Sequence, residues 1–143
     1  MPTSTFTRFH GLAEEIAKGN HAFGTHTYKA YLSNAAPNAA THLVKADIAE
    51  IAAGNGYPAG GVAATCSVVR TGNVAEVRIS ADGQITATGP VGPFRYLIFW
   101  NATNNNLVGY ADYGVAISLG NGEVFNINYD YLGANNKLLD ITV

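Results

Sequence analysis

Hydrophobic and polar positions follow two periods along this chain, and the change between them falls early. Phe9, Leu12, Ala13, Ile16 and Ala17 recur at i, i+3, i+4, i+7 and i+8, a spacing that places apolar side chains on one face of a helix. The pattern predicts a helix over about residues 6–18. Thr5 or Thr7 can cap its start, Lys18 complements its C-terminal dipole, and Gly19 suits the position after it. At about three turns such a helix is marginal alone, so its apolar face must dock on its own domain or on a neighbouring subunit.

From residue 28 the period is two. Tyr28, Ala30 and Leu32 alternate with polar or amphipathic neighbours, which reads as a strand. Residues 33–41 form a small-residue loop around Pro37. Residues 42–53 fit neither period, which predicts irregular chain with a short helical turn. Regular structure is then excluded by the run Gly54-Asn55-Gly56-Tyr57-Pro58-Ala59-Gly60-Gly61. Beyond it the pattern predicts short strands at 62–70, 74–80, 84–88, 94–101, 107–112, 115–119, 124–129 and 138–143. Asp82-Gly83 and Asn121-Gly122 read as type I′ hairpin turns, whose two central residues need positive φ. Thr71-Gly72-Asn73 and Asn104-Asn105-Asn106 read as longer turns. The sum is a mainly β protein: one antiparallel, jelly-roll-like β-sandwich over residues 1–143, with a short N-terminal α-helix.

Composition narrows the function classes. At 143 residues a single core suffices. Charged residues are 13% of the chain against a usual share of about 25%, which argues against a disordered tail, a polybasic arm or a charge-laced coiled coil. Eight Lys+Arg against ten Asp+Glu give a net charge of -2, a poor match for a phosphate backbone. No apolar run approaches the ~18 residues of a spanning helix, and the first residues lack a basic secretory n-region. The expectation is no nucleic-acid partner, no membrane partner, and synthesis in a cytoplasm. Cys66 is the single cysteine; in its strand-like apolar context it reads as a buried, inert thiol.

Candidate chemistry is sparse. Residues 54–59 fit G-x-G-x-x-A, but a dinucleotide fingerprint needs a helix N-terminus next, and Pro58 with Gly60-Gly61 breaks any helix. A tight loop is the better reading. His10 and Glu14, at helical i, i+4 spacing, offer two metal ligands; nothing fixes His21 or His26 as a third, so an exposed pair is preferred. Glu76, Asp82, Asp112, Glu123 and Asp130 fall at strand edges or turns and form no acid–base constellation. Asn101-Ala102-Thr103 is a glycosylation sequon, which matters only in a secreted chain. The sequence therefore predicts no enzyme, no cofactor and no metal.

What remains is surface. Tyr96, Trp100, Tyr110, Tyr113, Tyr129 and Tyr131 cluster late in the chain. Aromatics and Arg in a charge-poor exterior suit a face covered by neighbours, although some of these side chains also suit a core. The candidate interface residues are Phe9, Leu12 and Ile16 on the helix, with Arg95, Tyr96, Trp100, Tyr110 and Tyr113 in the later strands. For Arg95 a solvated side chain beside a core aromatic is the competing reading.

Two segments carry a family resemblance. One is residues 44–61, VKADIAEIAAGNGYPAGG. The other begins with residues 92–101, GPFRYLIFWN, and continues through 107–114, LVGYADYG, and 119–125, LGNGEVF. In this order they resemble a family of small tailed-bacteriophage virion structural proteins, and the opening helix, the strand around residues 28–32 and the late hairpin extend the likeness over most of the chain. The resemblance implies a capsid decoration (cement) protein on the head surface. Its partners would be the major capsid protein and sister subunits, in a homotrimer first and a dimer second. It supplies no catalytic residue. A tail component is the alternative the resemblance leaves open. A sugar-binding surface module is another, suggested by Trp100, Tyr110 and the Asn-rich turn at 104–106.

Overall fold

The computed structural model describes residues 5–79, 83–127 and 137–143. Among these residues ten strands and one α-helix follow in the order β1 (Thr5–Arg8), α1 (Leu12–Ala17), β2 (Tyr28–Ser33), β3 (Val62–Ala63), β4 (Cys66–Thr71), β5 (Val74–Ile79), β6 (Gly83–Thr86), β7 (Val91–Asn101), β8 (Asn106–Leu119), β9 (Val124–Ile127) and β10 (Lys137–Thr142). All their pairings are antiparallel. They build a five-stranded sheet ordered β1-β8-β7-β2-β3, a three-stranded sheet β10-β5-β4 and a two-stranded sheet β6-β9. The mainly β, sandwich-like reading holds. None of the helices among the described residues is long and apolar enough to cross a membrane.

Alternation along β2, β7 and β8 puts two sets of side chains on opposite faces of the large sheet. Ala30, Leu32, Leu97, Phe99, Val108 and Ala111 face one core, shared with Cys66, Val77 and Ile79 of the small sheet and with Ile85, Phe125 and Ile127 of the β6-β9 pair. Tyr31, Tyr96, Ile98, Trp100 and Leu107 face the other way, into a second cluster closed by Phe9 and Ile48. Both faces are buried, which explains the nearly continuous apolar run of β7.

Irregular chain covers the second face. It contains a single 3₁₀ turn, Lys45–Asp47, in the region predicted to hold a short helical turn. Tyr31 Oη donates to the Ile48 carbonyl at 3.0 Å, and the Lys45 amide donates to the Asn105 carbonyl at 2.8 Å. Lys45 Nζ lies 4.8 Å from the Tyr31 ring centre and 5.1 Å from that of Trp100, and pairs with Glu50 at 3.0 Å. Glu50 also accepts from Tyr57 Oη and from the Gly60 amide, each at 2.7 Å. Beyond β3 the edge of β2 is satisfied by this segment: the Leu32 amide donates to Tyr57 Oη and the Leu32 carbonyl accepts from Ile51. Tyr57 thus takes the place of a strand neighbour. The glycine-rich run is a packing device. At Gly61 (φ +87°) a Cβ would overlap the Ala30 carbonyl, and at Gly56 (φ +92°) the Thr86 carbonyl, so only glycine lets these backbones approach.

Several expectations are corrected. Residues 5–8 form β1 on the open edge of β8, not the start of a helix over 6–18. α1 is therefore shorter, and neither Thr5 nor Thr7 caps it; Gly11 is its N-cap, with no side-chain cap. Gly19 does follow the helix with positive φ (+82°). The strands expected at 107–112 and 115–119 are one strand, kinked at Gly114 (φ +80°), whose amide donates to Asp112 Oδ1. Gly72-Asn73 is a two-residue hairpin turn with positive φ at Gly72 only, so it is shorter than expected. Asn121-Gly122 is not a type I′ hairpin: only Gly122 has positive φ, and β8 and β9, which it joins, lie in different sheets. Asp82, Tyr129, Asp130 and Tyr131 lie outside the described residues.

Candidate interaction surface

The eight sequence-predicted interface residues do not form one patch. Phe9, Leu12, Tyr96, Trp100 and Tyr113 are buried within the chain's own core. Trp100 is held further by donating Nε1–H to the Gly60 carbonyl at 3.0 Å. Ile16, Arg95 and Tyr110 are half-buried, so they alone reach the surface of the single chain.

Arg95 and Tyr110 belong to one small region. Arg95 binds Asp112 through both carboxylate oxygens, with Nε at 2.8 Å and Nη2 at 3.1 Å, and its guanidinium lies 5.4 Å from the Tyr96 ring centre. The Tyr110 ring packs edge-on to Tyr96 at 6.3 Å and tilted on Phe9 at 5.4 Å. The guanidinium holds the Asp112 carboxyl below its ordinary range, and the amide of Gly114 adds to this. With its charge matched and its fork filled, Arg95 is a local cross-strand pair.

The helix presents a different picture. Its predicted apolar face is split: Phe9, which lies before α1 and not on it, and Leu12 enter the core, whereas Ala13 and Ala17 are exposed and Ile16 is half-buried. Those three line one wall of an open groove of about 670 Å³, with Leu139 and Ile141 of β10 opposite. Arg8, in β1, ties the groove's two sides together by donating Nε–H to the Leu138 carbonyl at 3.0 Å. Among the described residues β10 is an edge strand of its sheet, and Ile141 is 42% exposed. Sequence reasoning had the helical wall but missed Leu139, Ile141 and Arg8. The only signal was the apolar end of the chain, which also reads as an ordinary strand.

Other candidate chemistry resolves into structure. His10 precedes α1 and is exposed, while Glu14 pairs with Lys18 at 2.5 Å. Among the described residues no group of three or more His, Cys, Asp or Glu is placed to hold a metal ion. Glu76 pairs with Arg78 at 2.6 Å, and Glu123 lies exposed in a turn. Cys66 is buried, and burial pushes its thiol up to about 12. Asn101, the sequon asparagine, is fully buried, and its Nδ2 donates to His26 Nδ1 at 2.9 Å, so the folded chain offers no acceptor there. No protein-family model, no curated protein and no solved structure matches this chain.

Proposed function

We propose that this chain is a non-enzymatic structural protein of a tailed-bacteriophage virion, a decoration protein that cements the capsid shell as a homotrimer. Three things support the reading: the family resemblance of residues 44–61 and 92–125, the charge-poor composition, and the groove. The groove carries most weight. A helix whose apolar face is half covered by its own domain leaves Ala13, Ile16 and Ala17, with Ile141 of β10, for a sister subunit to cover. A stable interface buries about 1,600 Å² in total, so contacts must spread beyond this groove.

Deleting residues 1–18 would also remove β1 and the core residues Phe9 and Leu12. Ala13→Arg with Ala17→Arg is the cleaner test, because both positions are exposed. The double variant should keep its melting temperature and lose the trimer in sedimentation analysis. Cryo-EM of purified particles should place the protein on the head shell. Density confined to the tail, absence from particles, or an unchanged oligomer in the double variant would each count against the proposal.

A further inference from the structure

Between α1 and β2 the chain is held down by a buried polar cluster with one unmet requirement. Asn20 and Asn106 both donate to Glu15 Oε2, at 2.6 and 3.0 Å. Asn101 and Asn104 reach back from the β7–β8 end to the Asn20 carbonyl. The Ala102 amide donates to the Thr27 carbonyl at 2.7 Å, and Thr103 Oγ1 accepts from the Thr27 amide at 3.0 Å. Residues 20–27 are thus fastened at both ends to the β7–β8 turn.

His21 sits between the fastenings, 8% exposed, its ring stacked on Phe23 at 5.4 Å and on Tyr28 at 6.0 Å. Nδ1 is 3.1 Å from Tyr28 Oη, while Nε2 is buried without a hydrogen-bond partner among the described residues. A neutral ring satisfies Nδ1 in either tautomer. A protonated ring needs two acceptors, and Nε2 has none.

We propose that His21 is an acid-sensitive latch: protonation of its ring releases residues 20–27, and with them the end of α1, from the β7–β8 turn. The charged and titratable groups facing it are few. Glu15 of α1, itself paired with Lys18, favours the protonated ring, and His26 opposes it. Tyr28 of β2 is neutral, as is Cys66 of β4 beyond it, because burial pushes both upward. From β7 the Asn101 amide nitrogen lies 3.5 Å from Nδ1, and Asn106 of β8 donates to Glu15. Burial outweighs Glu15 and holds the ring at about 4, against 6.5 for an ordinary histidine. Because the closed segment has the lower value, its stability is complete above 6.5 and drains as pH falls toward 4.

Amide hydrogen exchange on the full chain, corrected for the intrinsic pH dependence of exchange, tests this. The opening equilibrium of residues 20–27 should rise about twentyfold between pH 7 and pH 5, while the amides of residues 97–99 keep their protection. His21→Phe retains a ring to stack on Phe23 and Tyr28 but has no proton to gain, so it should flatten this dependence; His26→Gln should not. NMR titration of the His21 ring in the unsubstituted protein gives a readout independent of any variant, with a midpoint near 4 expected. Unchanged protection at pH 5, a dependence that persists in His21→Phe, opening of the whole sandwich together, or a ring titrating near 6.5 in the closed protein would each overturn the latch.

Discussion

On one face of the large sheet, Leu32, Leu97 and Phe99 meet side chains from strands of two other sheets. On the opposite face, Tyr31, Ile98 and Trp100 lie under chain that forms no strand. The first face is closed by non-directional apolar contact, spread over many residues. The second is closed by a short list of directional contacts: Glu50 with Tyr57, Gly60 and Lys45, Tyr31 with Ile48, and Trp100 with Gly60. Strands bring their own backbone pairing; irregular chain must have its polar groups satisfied one at a time. The two faces should therefore fail differently. Loss of volume should weaken the first throughout, whereas loss of one acceptor should lift the second locally.

The largest effect should come from Leu97→Ala, which empties part of the sheet-to-sheet core. It should cost about 2–5 kcal/mol and lower the urea midpoint of the whole domain with an unchanged m-value. Next is Glu50→Ala, which takes the acceptor from Tyr57 Oη and the Gly60 amide together. A loss of about 2 kcal/mol is expected, read as faster hydrogen exchange at residues 44–51 while residues 97–99 remain protected. Equal acceleration at both places would mean that the two faces unfold as one unit, and the contrast between them would fall.

Asp112→Asn should have the smallest effect, about 0.5 kcal/mol, since the Arg95 and Asp112 side chains are 41% and 28% exposed. The sign in pH follows from the lowered carboxyl. Its pairing contributes in full above the ordinary carboxylate range and is lost as pH falls through the lowered value. Denaturant midpoints of the variant and the parent should therefore converge under strongly acidic conditions and differ slightly at neutral pH.

Much of this was legible in the chain itself. The alternation of Tyr28, Ala30 and Leu32 and the apolar run ending at Trp100 marked the two central strands, and the context of Cys66 marked its burial. The helical period of Phe9, Leu12, Ala13, Ile16 and Ala17 marked a real helix, although Phe9 lies before it and Ala13 and Ala17 are exposed. These are local signals, because solvent exposure repeats with the geometry of the element. Three matters had to wait for the tertiary structure. Residues 5–8 carry no distinctive pattern, and they are a strand because β8 leaves an edge open to them. Gly114 looks like a break between two strands, yet β8 runs through it, with the Asp112 carboxylate holding its amide. The apolar face of α1 is divided between core and groove by where β10 lies, more than a hundred residues away in sequence. Periodicity records which side chains avoid water, whereas the neighbour that shelters them is chosen by contacts between distant parts of the chain.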